Sequence, residues 1–382
     1  MDFSLSEEHQ AVKEAARDFA HHELLAGIIE RDDDKIFPFD QVKMMGELGF
    51  MGMMVDPTYN GSGMDTISYV IALEEIAKID AAAAVIMSVN NSLVCWGLEE
   101  YGSEEIKNNY LKDLASGELL GGFCLSEPEA GSDATAIKTK AIDQGDHFLL
   151  NGVKNWITNG GNASVYIVIA QSDPDKGYKG INAFVVEKQW EGVQVGPKEN
   201  KLGIRSSDTH SVMFHDVKIP KANLLGQEGS GFKIAMNILN GGRIGIAAQA
   251  LGIAAGAYEL SLRYSTERKS FGKCISEHQA IQFKLADMAT TIEASRLMCY
   301  NAAFRKDKGL SFVKESAMAK LYASQIAMDV TTEAVQIHGG YGYVKEYHVE
   351  RMMRDAKITQ IYEGTSEIQR LVIAREILRS IQ

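Results

Sequence analysis

The spacing of apolar residues along the chain changes twice. From Ser6 to about residue 121 they recur every three or four positions. Val12, Ala15, Ala16 and Phe19 follow the opening Ser6-Glu7-Glu8-His9 in this way, which is the spacing of one helix face. The same period runs through 40–48, 66–80, 81–101 and 103–115, with a turn at Tyr59-Asn60-Gly61-Ser62-Gly63. Between 122 and 227 the pattern shortens. The runs 147–152, 165–170, 181–187 and 209–217 are rich in β-branched and aromatic residues and are separated by Gly, Pro, Asn and Asp. No helix-length pattern intervenes, so a small antiparallel sheet or barrel is expected rather than βαβ units. From Gly229 the helical period returns over 232–239, 243–263, 278–306, 312–339 and 365–381. Gly309 and Gly339-Gly340-Tyr341-Gly342 break it, and no proline follows Pro220.

These patterns predict an α+β multidomain chain. An N-terminal α-helical domain covers 1–121, a middle antiparallel β-domain covers 122–227, and a C-terminal helical domain covers 228–382. A chain of 382 residues is too long for one ordinary core. Its 45% hydrophobic and 24% charged residues are those of a globular protein.

No stretch approaches the roughly 18 consecutive apolar residues of a membrane span. The start, Met1 to Glu8, lacks a basic region followed by an apolar run, so no secretory signal is expected. Cys95, Cys124, Cys274 and Cys299 are scattered, with no CxxC pair and no zinc-like Cys/His spacing. Four reduced thiols and no metal are expected. The net charge of −12 argues against nucleic acid as a partner. A polyanionic ligand would need local help from helix N-termini, backbone N–H groups and a few arginines. No GxGxxG follows a strand, and neither GxxxxGK[ST] nor GxSxG occurs.

Three segments carry candidate chemistry. Phe123-Cys124-Leu125-Ser126-Glu127-Pro128-Glu129-Ala130-Gly131-Ser132-Asp133 reads as a small-residue loop. It is either a domain connection or a backbone cradle for a ligand. Lys154-Asn155-Trp156-Ile157-Thr158-Asn159-Gly160-Gly161 reads as a strand ending in a tight turn. Its indole either packs in a core or lies beside a flat cofactor. In Tyr362-Glu363-Gly364-Thr365-Ser366-Glu367-Ile368-Gln369-Arg370, Ser366 and Gln369 have capping-box spacing. Glu363 there is either an acid favoured by the helix dipole or, with Gly364 as a flexible joint, a carboxylate aimed elsewhere.

Together with Arg268-Lys269-Ser270-Phe271-Gly272 and Gln336-Ile337-His338-Gly339-Gly340, these segments resemble the acyl-CoA dehydrogenase family, in order and over essentially the whole chain. The resemblance implies that family's fold, with a four-helix-bundle-like C-terminal domain. It also implies FAD held between the β-domain and the C-terminal helices. Phe123, Leu125, Ser126, Trp156, Ile157 and Thr158 would line the flavin, with Ser132 at the edge of cofactor and substrate. Arg268 would reach the pyrophosphate of a neighbouring subunit's FAD, with Phe271 and Gln279 near its adenosine. Gln336, Gly339 and Gly340 would form a second nucleotide contact, and Thr365 with Glu367 would close the site. The expected assembly is therefore a homo-oligomer, a dimer of dimers.

The implied reaction is α,β-dehydrogenation of an acyl-CoA to a trans-2-enoyl-CoA. Glu363 would take the α-proton, flavin N5 would take the β-hydride, and an electron-transfer flavoprotein would receive the electrons. A free carboxylate near pKa 4.3 is a poor base for this proton, so burial that raises it is expected. The backbone N–H of Glu363 and a flavin ribityl hydroxyl would stabilise the enolate. Some branches carry the base on the helix that here has Gly241-Gly242-Arg243, so Gly242 leaves Glu363 without a competitor. Asn240, Arg243 and Gly364 would contact the substrate. The run from Gly242 to Gln249 resembles the short-chain branch, in which Gln249 and Thr359 would close the acyl pocket and favour butyryl-CoA. Alternatively, Gln249 serves only the helical core.

Two departures from the family pattern stand out: Glu129 replaces a commoner glycine, and Asp208 would weaken a CoA phosphate contact if it faced the ligand. Alternative functions are an enoyl-CoA reductase run through the same site, a branched short-chain acyl-CoA substrate, an acyl-CoA oxidase, a non-catalytic acyl-CoA-binding relative, and a structural helical protein. A cytoplasmic location is expected, with the mitochondrial matrix as the alternative.

Overall fold

The computed structural model describes residues 4–379 and 381. The reading of the extreme N-terminus at Met1, Asp2 and Phe3, and the outer limits of the two terminal domains, lie outside them. Ser6 caps the first helix, Glu7–Phe19, by accepting a hydrogen bond from His9 N. Helices Phe39–Glu47 and Thr66–Ala77 match the expected segments. Residues 81–101 wind continuously, with a π-helical stretch at Val89–Cys95. Buried Asn90 on that stretch donates to Met51 O (2.9 Å) and Leu114 O (2.8 Å) and accepts from Gly121 N (3.0 Å). It thereby ties the helical domain to the first strand.

The strands are β1 (Gly121–Cys124), β2 (Lys140–Asp143), β3 (His147–Thr158), β4 (Val165–Gln171), β5 (Ile181–Glu187), β6 (Val193–Lys198), β7 (Thr209–Pro220) and β8 (Leu224–Leu225). They form one sheet in the order β6-β7-β3-β2-β4-β5-β8, with β1 beside β4. The sheet is mixed, not purely antiparallel as expected: β1 and β2 both run parallel to β4. The helical domain that precedes β1 delivers it alongside β4 without a βαβ crossover. Alternate residues of β4 enter different cores. Val165, Ile167 and Ile169 join the large helical core, while Tyr166, Val168 and Ala170 join the core of the β-domain.

One helix, Gly231–Glu267, runs through the protein. It was expected as two, but Gly241-Gly242 does not interrupt it, because burial against neighbouring elements outweighs glycine's weak helix propensity. Its small residues allow close backbone approach. A Cβ on Gly252 would lie 2.5 Å from Glu74 O, and one on Gly256 would lie 2.2 Å from Lys78 O. Gln279–Asp307 and Val313–His338 pack against it, and Ser366–Arg379 packs on Val313–His338. A further helix, Val349–Ile358, was not anticipated.

Two helices, Ala81–Tyr101 and Gly231–Glu267, are long and apolar enough to cross a membrane by length and composition. Both lie mostly buried inside the protein. Their apolar character comes from alanines and glycines mixed with polar residues, so no uninterrupted apolar run announces it.

Candidate active site

Glu363 sits in a tight turn between Val349–Ile358 and Ser366–Arg379. Its φ is +51° and that of Gly364 is +94°. This places two successive residues in the left-handed region, the first of them not a glycine. The turn is held from behind. Gln369 Nε2 donates to Glu363 O (3.2 Å) and Gly364 O (2.9 Å), and Lys320 Nζ donates to Gly364 O (2.5 Å). The expected Ser366–Gln369 box is therefore not formed. Thr365 caps the helix instead, with its Oγ1 accepting from Ile368 N at 3.4 Å, and Gln369 is free to brace the turn.

The carboxylate points inward. Oε2 is sealed from solvent and has no hydrogen-bond partner. Burial pushes the Glu363 carboxyl up to about 7, against the opposing pull of Lys320 and Arg243. The space it occupies exists because residue 242 has no side chain: a Cβ there would lie 2.2 Å from Oε2 and 2.6 Å from Leu93 Cδ2. Burial lowers Arg243 to about 10 and Lys320 to about 7. Arg243 donates to Asn240 Oδ1 (2.7 Å), which brings both candidate substrate residues to this end of the helix.

Gln249 and Thr359 are fully buried. Gln249 donates to Ala81 O (2.7 Å) and accepts from the Tyr362 hydroxyl, while Thr359 donates to Ala356 O (2.7 Å). Gln249 therefore bonds within the core and also fixes the tyrosine next to Glu363. Tyr69, whose hydroxyl donates to Ser88 (3.0 Å), adds a further phenol in the electrostatic range of Glu363.

On the β-domain, Trp156 takes φ +63° at a bulge in the β3–β7 pairing and leaves its indole 61% exposed. Ile157 turns its side chain into the β-domain core, so what it offers a ligand is its backbone between Trp156 and Thr158. Phe123, Ser126 and Thr158 are half-buried, Leu125 is buried, and Ser132 is exposed. The loop carrying Leu125 and Ser126 is locked to the Trp156 strand. Lys154 Nζ, fully buried, donates to Leu125 O (2.9 Å) and Glu127 Oε1 (2.8 Å), and Asn155 N donates to Ser126 O (2.8 Å). Glu127 also accepts from Lys138 N (2.6 Å) and Thr139 N (3.0 Å). Glu129 is exposed and pairs with Lys138. Asp208 turns away from any ligand: Oδ2 accepts from Gly161 N (2.7 Å) and Asn162 N (3.0 Å).

Other expected cofactor residues do not join this group. Arg268 follows the far end of Gly231–Glu267, about 40 Å along that axis from Gly242 at 1.5 Å per residue. There its guanidinium lies 5.3 Å from the Tyr341 ring, near Gly339 and Gly340. Gln279, Gln336, Gly339 and Gly340 are exposed, and Phe271 is 95% exposed. Thr365 and Glu367 remain with the Glu363 turn, with Glu367 exposed. The residues named from the sequence thus fall into three groups: the Glu363 turn with Asn240 to Gln249, the β-domain loop and strand around Leu125 and Trp156, and the distant set around Arg268.

Sequence reasoning missed Lys320, Gln369 as a brace, and the Glu127–Lys154 pair. The available signal was a lysine set among small buried residues of one helix face, with Ser316, Ala323 and Ala327 at three- to four-residue spacing.

Three family models match in order: the acyl-CoA dehydrogenase N-terminal domain over residues 6–118, the middle domain over 122–217 and the C-terminal domain over 229–378. A short-chain-specific acyl-CoA dehydrogenase of Clostridium acetobutylicum is 48% identical, covering 99% of this chain and 100% of its own. The mitochondrial short-chain-specific enzyme of Rattus norvegicus is 50% identical, over 98% of this chain and 91% of its own. The solved butyryl-CoA dehydrogenase of Megasphaera elsdenii superposes with a TM-score of 0.97 at 47% identity, covering 99% of this chain and 100% of that one. Family models spanning nearly the full chain, near-half identity and a coincident fold lead to one conclusion: this chain belongs to the acyl-CoA dehydrogenase family.

Proposed function

We propose that this protein is an FAD-dependent dehydrogenase of short-chain acyl-CoA thioesters, butyryl-CoA foremost, with trans-2-enoyl-CoA as product. The observation that carries the reading is Glu363, whose Oε2 is sealed from solvent against Gly242 and whose carboxyl burial pushes up to about 7. A base of that strength suits abstraction of a weakly acidic α-proton near neutral pH. The short-chain-specific and butyryl-CoA relatives support the substrate class.

The residues fit FAD. Trp156 offers an open indole face on a strand whose bulge turns it outward, and Gly131 faces open space in the adjoining loop. When bound, FAD supplies the acceptor for the β-hydride. Phe123, Leu125, Ser126, Trp156 and Thr158 hold and orient the flavin, and Ser132 lies at its edge. Glu363 removes the α-proton. Asn240, Arg243 and Gly364 frame the thioester, while Gln249, Thr359 and Tyr362 limit the depth of the acyl pocket.

Arg268, Phe271, Gln279, Gln336, Gly339 and Gly340 serve the cofactor of a second copy, because Arg268 stands about 40 Å along the helix axis from Gly242 and the others lie apart from the Glu363 turn. Reciprocal exchange closes a pair of copies, and the assembly is a homotetramer of two such pairs. Electrons leave to an electron-transfer flavoprotein, and the bacterial relatives support a cytoplasmic location. The three domains divide at 121/122 and 227/228.

The test is anaerobic titration of the FAD-loaded protein with butyryl-, isobutyryl-, hexanoyl- and octanoyl-CoA. Butyryl-CoA is expected to bleach the oxidised flavin fastest, and oxidised absorbance that persists with every thioester rejects the reading. Glu363→Gln is expected to retain FAD and lose about 10²–10⁴-fold in turnover.

A further inference from the structure

Lys320 is fully buried on Val313–His338, in a stripe otherwise made of small residues. A buried ammonium is costly unless it is paired. Its ammonium donates to Gly364 O, at 2.5 Å, directly behind Glu363. Gln369 bonds the same carbonyl from another helix. Two successive residues at positive φ, the first of them not a glycine, are thereby held in a conformation that is strained for Glu363.

The groups around Glu363 come from several elements. Arg243 approaches from Gly231–Glu267, with Arg375 beyond it. Tyr69 approaches from Thr66–Ala77, Tyr362 lies alongside, and Glu367 acts on the far side of Lys320. Of these, Lys320 is the strongest opponent of the burial that favours the neutral acid.

We propose that Lys320 is a positioning residue for the base: its ammonium anchors the Gly364 carbonyl behind Glu363 and supplies the counter-charge for the ionised carboxylate. The inference rests on the reading of Glu363 as the base. An apolar residue there would leave the turn with Gln369 alone and the carboxylate with Arg243 alone.

The test compares the FAD-loaded parent with Lys320→Gln, which can still donate but is neutral, and with Lys320→Met, which fills similar volume without charge. Lys320→Arg keeps both functions. The first readout is the pH midpoint of the Glu363 carboxyl band in infrared difference spectra, identified by its loss in Glu363→Gln. The second is the pH profile of flavin reduction by butyryl-CoA. The neutral variants are expected to raise the midpoint by about one unit, and so to slow reduction about tenfold below it and little above it. Lys320→Arg is expected to restore the parental midpoint. An unmoved midpoint in whichever neutral variant folds and binds FAD overturns the proposal. A parent whose flavin butyryl-CoA does not bleach overturns the functional reading instead.

Discussion

Gly242 and Glu363 share one space: a Cβ added to the glycine would stand 2.2 Å from the carboxylate oxygen Oε2. Leu93 Cδ2, at 2.6 Å, blocks the other side. The helices Gln279–Asp307, Val313–His338 and Val349–Ile358 all intervene between these two residues, which stand 121 positions apart in sequence.

Gly242→Ala therefore has to displace the carboxylate rather than merely crowd it. The backbone there is helical, so alanine itself is tolerated and even favoured by about 0.5–1 kcal/mol. The expected outcome is a folded, FAD-binding protein whose kcat for butyryl-CoA falls about 10²-fold through misplacement of the base. Stopped-flow flavin reduction measures it, and a kcat within threefold of the parent would show that the carboxylate has slack.

Glu363 also makes stability depend on pH. Its folded value of about 7 lies above the ordinary 4.5, so the folded state binds the proton more tightly than the unfolded one. The stability this confers is complete below pH 4.5 and is lost as pH rises through 7, a decline of up to about 3 kcal/mol. Glu363→Gln mimics the protonated acid and lacks that decline. Urea unfolding of both proteins at pH 4.5 and pH 8 is expected to show Glu363→Gln gaining on the parent at the higher pH. Parallel pH dependence of the two would contradict it.

The Glu127–Lys154 pair predicts a different failure. Lys154 is fully buried, and burial pulls its ammonium down while Glu127 opposes. Removing one partner from such a pair costs about 3–5 kcal/mol, because the other is left uncompensated. Glu127→Gln is expected to lower stability by that order and to release the loop bearing Leu125 and Ser126. The loss should appear as weaker FAD retention on gel filtration, rescued in part by excess FAD. Full FAD occupancy with unchanged stability would remove the pair from any role at the flavin loop.

Much of the architecture was legible in the sequence because hydrophobic period reports local geometry. The three-part order and most long helices follow from it, as does the strand through Lys154 and Trp156. The joint at Gly241-Gly242 was misread because glycine weakens a helix locally, while its packing against other elements is a tertiary fact. The parallel pairing of β1 with β4 escaped for a similar reason. A four-residue strand at a domain edge has too little pattern of its own, and its partner begins 44 residues later.

The sequence by itself determined the family resemblance, the identity of Glu363 as the candidate base and the absence of a rival acid at 242, since each is a matter of residue type in a recognisable order. Only the tertiary structure decided that one oxygen of this carboxylate is sealed, that Lys320 and Gln369 hold its turn, that the Ile157 side chain faces the core, and that Arg268 lies in a separate cluster. Burial and charge proximity depend on which distant segments fold against one another. The proton affinity of Glu363 is set by those neighbours and not by its own side chain.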